Sequence, residues 1–232
     1  MMASAEKEDK QLDGIRKKMK TDAVLDFTVV PGKNEETVKL SDFEIIKLLG
    51  EGTFGKVYLV EKNDTGDLFA LKTLKKDKLL VDEKILECTI LEKKILQQAN
   101  HPFLIGTDYV FQTESMVYFV MKYIKAGELY THLRNVGTFD EREAKFYIMT
   151  IALGLGYLHK KKIVYRDLKT KNILMGEDGY IFLADFGLAK FIKPEEKVTS
   201  ICGTPYMMAP EIIEQNNYGY AVDWYALGVL TF

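Results

Sequence analysis

The stretch Tyr165-Arg166-Asp167-Leu168-Lys169-Thr170-Lys171-Asn172 sets a carboxylate, a cation and an amide at fixed offsets. Asp167 can orient a hydroxyl and accept its proton, Lys169 can neutralise a transferring phosphoryl group, and Asn172 can hold a metal ion. Downstream, Asp185-Phe186-Gly187 offers in Asp185 a hard oxygen ligand for the Mg²⁺ that bridges phosphates. Nearer the start, Gly50-Glu51-Gly52-Thr53-Phe54-Gly55 is a glycine loop whose bare backbone can fold tightly and turn its N–H groups to phosphate oxygens. Two other readings use the same letters: a dinucleotide-binding turn, and a hairpin with no ligand at all. A dinucleotide turn opens a helix, whereas this loop runs straight into Val57-Tyr58-Leu59-Val60, a strand pattern. Ala70-Leu71-Lys72 follows on the next strand. A lysine in an alternating strand usually faces solvent, but Glu92 on the following helix could hold Lys72 and fix its charge toward phosphates. Phosphoryl transfer depends mostly on positioning and charge neutralisation, and these residue types supply both.

The elements that must position these groups are legible in the apolar pattern. Phe43 to Leu49, Lys56 to Val60 and Leu68 to Thr73 read as short strands punctuated by Gly50, Gly52, Gly55 and Gly66. A helix is expected over about 82–98, with Glu92 and Leu96 on one face, then strands near Tyr109–Gln112 and Val117–Met121. From Gly127 onward helices dominate. Asp140 and Glu143 are a capping pair for a helix to about Lys160, with Ile148, Ile151, Leu155 and Leu158 as its apolar stripe. A strand-like stretch from Tyr180 to Ala184 leads into Asp185. The expected class is α+β: a small antiparallel sheet with one main helix, followed by a mostly helical part. Residues 1–40 read as a polar tail or linker, with a short basic cluster at Arg16-Lys17-Lys18 and Lys20 and a turn at Pro31-Gly32.

Bulk properties exclude several classes. Across 232 residues, 32 Lys plus Arg nearly cancel 34 Asp plus Glu, which gives no support for a nucleic-acid binder acting through positive charge. Cys88 and Cys202 have no CxxC spacing, so neither a disulfide framework nor a thiolate zinc site is expected. His101, His132 and His159 fit no metal-ligand pattern and read as surface or packing residues. No apolar run reaches the ~18 residues of a membrane span, so direct membrane insertion is not expected. The reading is of a reducing-compartment protein, cytoplasmic and open to the nucleus as well.

Taken in order, the glycine loop, Ala-x-Lys, helix glutamate, catalytic loop, Asp-Phe-Gly and Ala209-Pro210-Glu211 resemble the eukaryotic protein-kinase signature over about residues 42–232. Tyr165 in place of histidine, His101-Pro102-Phe103-Leu104, Phe111-Gln112-Thr113, Gly127-Glu128-Leu129 and Cys202-Gly203-Thr204-Pro205 are similar to the AGC group. Glu87-Cys88-Thr89 resembles protein kinase C, and Tyr218-Gly219 with Ala221-Val222-Asp223-Trp224 resembles protein kinase B. The resemblance implies a bilobal fold, with an N-lobe over 41–122 and a partial C-lobe over 123–232. It implies ATP and Mg²⁺ between the lobes and transfer of the γ-phosphoryl group to serine or threonine of a protein substrate. Asp167, Lys169, Lys72 and Glu92 would be catalytic, and Asn172 and Asp185 would hold the metal. Gly50, Gly52, Gly55, Val57, Ala70, Lys72, Met121, Tyr123, Ile124, Glu128 and Leu174 would line the nucleotide site. Within that set Met121 guards the back, and Lys122, Tyr123 and Ile124 form the hinge. Ser200 matches the activation-loop phosphosite, with Arg166 and Lys190 as phosphate partners and an upstream activating kinase as a partner.

Three departures from the family stand out. Lys171 sits where an acidic residue often helps to read basic substrates, while Glu128 keeps the other carboxylate. Tyr206-Met207 replaces Glu-Tyr after Gly-Thr-Pro. The chain ends inside Ala221–Phe232, which resembles the buried central helix of the C-lobe. On that ground a fragment is expected, with Glu211 lacking its arginine partner and apolar surface left on Trp224, Leu227, Val229 and Leu230. Two rival readings follow. A catalytically silent nucleotide-binding or scaffold fragment fits the ending. A small-molecule kinase fits less well, because the Gly203-Thr204-Pro205…Ala209-Pro210-Glu211 segment argues for a protein substrate.

Overall fold

The computed structural model describes residues 38–52, 55–81, 83–98, 100–193, 196 and 198–232. The basic cluster at 16–20, the Pro31-Gly32 turn, Thr53, Phe54 and Asp82 therefore lie outside the described residues.

The alternating segments form one five-stranded antiparallel sheet. Its strands are β1 (Phe43–Glu51), β2 (Gly55–Lys62), β3 (Leu68–Lys75), β4 (Thr107–Gln112) and β5 (Met116–Lys122), in spatial order β1-β2-β3-β5-β4. Each strand extends its expected run by two or three residues, and in β2, β3 and β5 the ladder pairing continues past the apolar stretch into Lys62, Lys75 and Lys122. A one-turn helix α1 (Lys76–Leu79) precedes α2 (Glu83–Gln98), the main helix of this part. One face of the sheet packs Phe43, Val60, Leu71, Tyr109, Phe111 and Val120 into a small core that also covers Val38.

The second part is mostly helical: α3 (Leu129–Val136), α4 (Glu141–Lys160), α5 (Pro210–Ile213) and α6 (Ala221–Thr231). The α4 start is fixed as its sequence implies. Asp140 accepts from the Glu143 backbone at 2.8 Å and Glu143 accepts from the Asp140 backbone at 3.2 Å. Of the expected stripe, Ile151, Leu155 and Leu158 are fully buried and Ile148 packs partly against them. Two short antiparallel strand pairs sit beside the helices: β6 (Ile163–Val164) pairs with β9 (Lys190–Phe191), and β7 (Ile173–Met175) with β8 (Ile181–Leu183). The two parts share a continuous core, in which Leu96, Phe119 and Met121 of the first meet Leu155, Leu168 and Phe186 of the second.

In α6 the apolar surface is distributed differently from expectation. Leu227 faces inward and is buried, Val229 and Leu230 are partly buried, and Trp224 is exposed with its ring against His159. Glu211 is partly exposed and forms no ion pair among the described residues.

Candidate active site

Between the sheet and the helical part lies a cleft of about 810 Å³. Its roof is the glycine loop, where β1 turns into β2. Gly50, Gly52 and Gly55 all line the cleft, together with Val57 and Ala70 from β2 and β3. The loop is closed by the Gly52 N–H on the Gly55 carbonyl at 2.9 Å. Gly55 has a further reason to lack a side chain: a Cβ there would stand 1.7 Å from the Thr73 carbonyl oxygen, so β2 and β3 could not meet. At Gly50 a Cβ would meet only open space.

The back wall is Met121, and Tyr123 and Ile124 follow it out of β5 toward Glu128. Leu174 of β7 is the floor, tied to Glu128 by an isolated antiparallel bridge. Lys122 lines the cleft as well, and its ammonium sits over the Phe182 ring at 5.7 Å. These apolar walls suit a flat aromatic base, with backbone groups of the β5 exit segment at its edge.

At the inner end the charged groups converge. Lys72 Nζ lies 2.6 Å from Glu92 and 3.4 Å from Asp185. Glu92 is buried on α2, so the pair ties that helix to β3. Burial works against the charge of Lys72, yet the carboxylates of Glu92 and Asp185 hold its ammonium well above the ordinary lysine range. Burial by itself would raise the Asp185 carboxyl, but Lys72, the Gly187 backbone N–H and Lys169 together hold it below the usual carboxylate range. Its backbone is held in the left-handed region at φ 55°, and Arg166 of the catalytic loop at φ 69°. Both are costly for non-glycine residues, and the packing around them must fix them.

Asp167 is nearly buried and fully bonded. Lys169 donates to it at 2.6 Å, Asn172 at 2.8 Å and Thr204 at 2.8 Å, and Lys169 also reaches Thr204 at 3.1 Å. The Asn172 amide nitrogen is spent on Asp167, which leaves its carbonyl oxygen for a cation. Among the described residues no group of three or more His, Cys, Asp or Glu could hold a metal. Asp185 and the Asn172 carbonyl oxygen are hard oxygen donors of the kind that suits a magnesium ion.

Thr204 and Asp223 are the residues the motif reading missed. Asp223, on α6 and buried, accepts the backbone N–H groups of Tyr165 at 2.9 Å and Arg166 at 2.8 Å, and contacts His159 Nε2 at 2.7 Å. It holds the catalytic loop by its main chain. Tyr165 adds a hydrogen bond from its phenol to the Ala184 carbonyl, joining that loop to the segment before Asp185. The Arg166 side chain donates to Ser200 at 2.9 Å and to Tyr218 at 3.1 Å. Lys190 is not drawn to Ser200: it pairs with Glu196 at 2.9 Å. Gly203 (φ 112°) lets this segment approach the catalytic loop, since a Cβ there would lie 2.6 Å from the Arg166 carbonyl.

The family model described as "Protein kinase domain" matches residues 43–232. The serine/threonine-protein kinase akt-1 of Caenorhabditis elegans is 44% identical over 85% of this chain and 36% of its own length. The RAC family serine/threonine-protein kinase homolog of Dictyostelium discoideum is 43% identical over 86% of this chain and 45% of its own. The human RAC-beta serine/threonine-protein kinase is 42% identical over 89% and 43% respectively. The chain thus spans less than half the length of these curated relatives. Of the expected site residues, the cleft brings together the whole nucleotide set with Glu92, Asp167 and Asp185. The chain belongs to the protein kinase domain family, and its similarity to RAC-type relatives sets it in the AGC group of that family.

Proposed function

We propose that this chain carries the nucleotide site and catalytic loop of a serine/threonine protein kinase. The observation that carries the reading is the convergence of Lys72, Glu92, Asp167 and Asp185 on one cleft, with Lys169 and Asn172 bonded directly to Asp167. ATP would supply the phosphoryl group to be transferred, and a bound Mg²⁺ would supply positive charge against its phosphates.

The roles of the chain's own residues follow from their settings. Val57, Ala70 and Leu174 clamp the base, and Lys72 presents a charge that Glu92 prevents from drifting. Asp185 and the Asn172 carbonyl oxygen would hold the metal ion. Asp167 orients the acceptor hydroxyl and takes its proton, while Lys169 stands beside it to offset negative charge on the moving group. Thr204, bonded to both Asp167 and Lys169, links the catalytic loop to the segment that a protein substrate would meet. Ser200 is the regulatory position, served directly by Arg166 and, after exchange of its Glu196 partner, by Lys190. An upstream kinase would modify it. The two free thiols, Cys88 and Cys202, support a reducing compartment, cytoplasmic or nuclear.

The test is steady-state phosphorylation of a serine/threonine peptide pool by the protein and its variants. Asp185→Ala and Lys72→Met should each lower turnover by at least about a hundredfold, within the range seen for loss of one electrostatic catalytic group. Near-wild-type turnover in either variant would overturn the site assignment.

A further inference from the structure

Beside the catalytic loop the surface carries positive charge that phosphoryl transfer does not use. A single 3-10 turn, Thr170–Asn172, follows Asp167 and Lys169 and packs against α3. Neither element contains an aspartate or glutamate, and each contributes one cation, Lys171 from the turn and Arg134 from α3. Both side chains are exposed, and neither forms an ion pair among the described residues. Lys171 lies over the Tyr130 ring, 5.1 Å from its centroid. Tyr130 and Arg134 are four positions apart on one face of α3, so that face gathers the ring and both charges.

The acids of this region are committed elsewhere. Glu128 caps the start of α3 only two positions from Tyr130, hence on another face, and it lines the nucleotide cleft. Glu177 is paired with Lys125 at 3.0 Å. Two like charges gathered without a counter-ion repel each other, and an anionic partner relieves that repulsion. The position of the pair says which partner would meet it. Lys171 is four residues after Asp167, so their Cα atoms stand no more than about 14 Å apart. An extended peptide advances about 3.3–3.6 Å per residue. A substrate whose hydroxyl sits at Asp167 therefore brings residues within about four positions of the acceptor beside Lys171.

We infer that Lys171 and Arg134 form a specificity site that selects an anionic side chain, a carboxylate or a phosphorylated serine or threonine, close in sequence to the acceptor. The inference rests on the kinase reading above and names its substrate class: acidic or already phosphorylated segments of a protein. The guanidinium can bind such a group through two parallel hydrogen bonds, and the ammonium adds a point charge. Neither side chain bonds Asp167, which is held by Lys169, Asn172 and Thr204, so the pair acts on which peptide is held and not on the transfer step.

Fluorescence anisotropy and steady-state phosphorylation with the full chain test this. The peptides share one sequence and carry glutamate, phosphoserine or glutamine at each position flanking the acceptor serine; alanine replaces that serine for anisotropy. At its best position the glutamate peptide should bind, and turn over in kcat/KM, about three- to tenfold better than the glutamine peptide, as two exposed ion pairs allow. Phosphoserine, with about −1.5 to −2 charge, should exceed glutamate. Both preferences should shrink in about 0.5 M salt. Lys171→Gln with Arg134→Gln should bring the ratios to about one. Equal binding of glutamate and glutamine peptides by the wild type overturns the proposal, and so does a preference that survives in the double variant. Should Arg134→Gln lower the melting temperature and leave the ratio unaltered, Arg134 serves only the C-terminal end of α3 and the two-cation site is overturned. Absence of turnover on every peptide, with the glutamate preference in binding intact, would count against the proposed function and support this site.

Discussion

Lys171 is the catalytic-loop side chain that bears on what a protein substrate would meet beside Asp167. It follows the acidic and cationic pair Asp167 and Lys169 and directly precedes Asn172, yet it faces outward. Its ammonium lies 5.1 Å from the Tyr130 ring centroid, and it makes no ion pair with Glu128. A protein substrate with its hydroxyl at Asp167 therefore meets a held positive charge close by. Tyr206, 73% exposed, adds no charge to oppose it. Basic residues before the acceptor should be weakly selected, and Lys171→Glu should restore selection for arginine. The groove is open to solvent, so the change should be about 1 kcal/mol, several-fold in kcat/KM between basic and neutral peptides. A peptide-library comparison decides it: strong arginine selection by the wild type, unchanged in Lys171→Glu, would place the specificity elsewhere.

At the scale of elements, what the sequence discloses depends on whether a contact is local. Asp167, Lys169 and Asn172 are neighbours in the chain, and their spacing alone implied the triad that the hydrogen bonds display. The strands and α4 were legible for the same reason, through alternation and the Asp140–Glu143 cap. Asp223 was not. It lies 58 positions from Tyr165 and 57 from Arg166, on a helix whose sequence is apolar apart from this one acid. Only the packing of α6 against α4 brings it beneath the catalytic loop. Lys190 was assigned to the phosphosite and is engaged by Glu196, a pairing of two mobile-length side chains that spacing cannot rank. Gly55 was read as a phosphate contact, and its tightest constraint proves to be strand pairing. Asp223→Ala tests the element-level role. It would leave the buried Tyr165 N–H and the partly buried Arg166 N–H without their acceptor, at about 1–3 kcal/mol for the buried one. A lowered melting temperature and a fall in kcat are both expected. Retention of wild-type kcat with a lowered melting temperature would reduce Asp223 to a purely structural residue.

Across the whole molecule, Ser200 and the catalytic loop are joined through Arg166. Its guanidinium bonds Ser200 and Tyr218, its backbone N–H is held by Asp223, and the next residue is Asp167. Tyr218 closes the loop by donating to the Ser200 carbonyl at 2.7 Å. A phosphate on Ser200 adds about −1.5 to −2 charge and strong acceptors beside a guanidinium already in place. Charge-assisted bonds of this kind should order the segment that carries Thr204, and so hold Asp167 and Lys169 in register. Lys190 can join only by leaving Glu196. Three variants therefore separate the contributions. Ser200→Ala should remove activation. Arg166→Ala should abolish the difference between phosphorylated and unphosphorylated protein. Glu196→Gln should enlarge that difference, because it releases Lys190 to the phosphate without altering the cleft. The measurement is the ratio of kcat for the two phosphorylation states in each background. A ratio of one in the wild type would remove Ser200 from regulation. A ratio unaltered by Glu196→Gln would show that Arg166 alone carries the phosphate's effect to the catalytic loop.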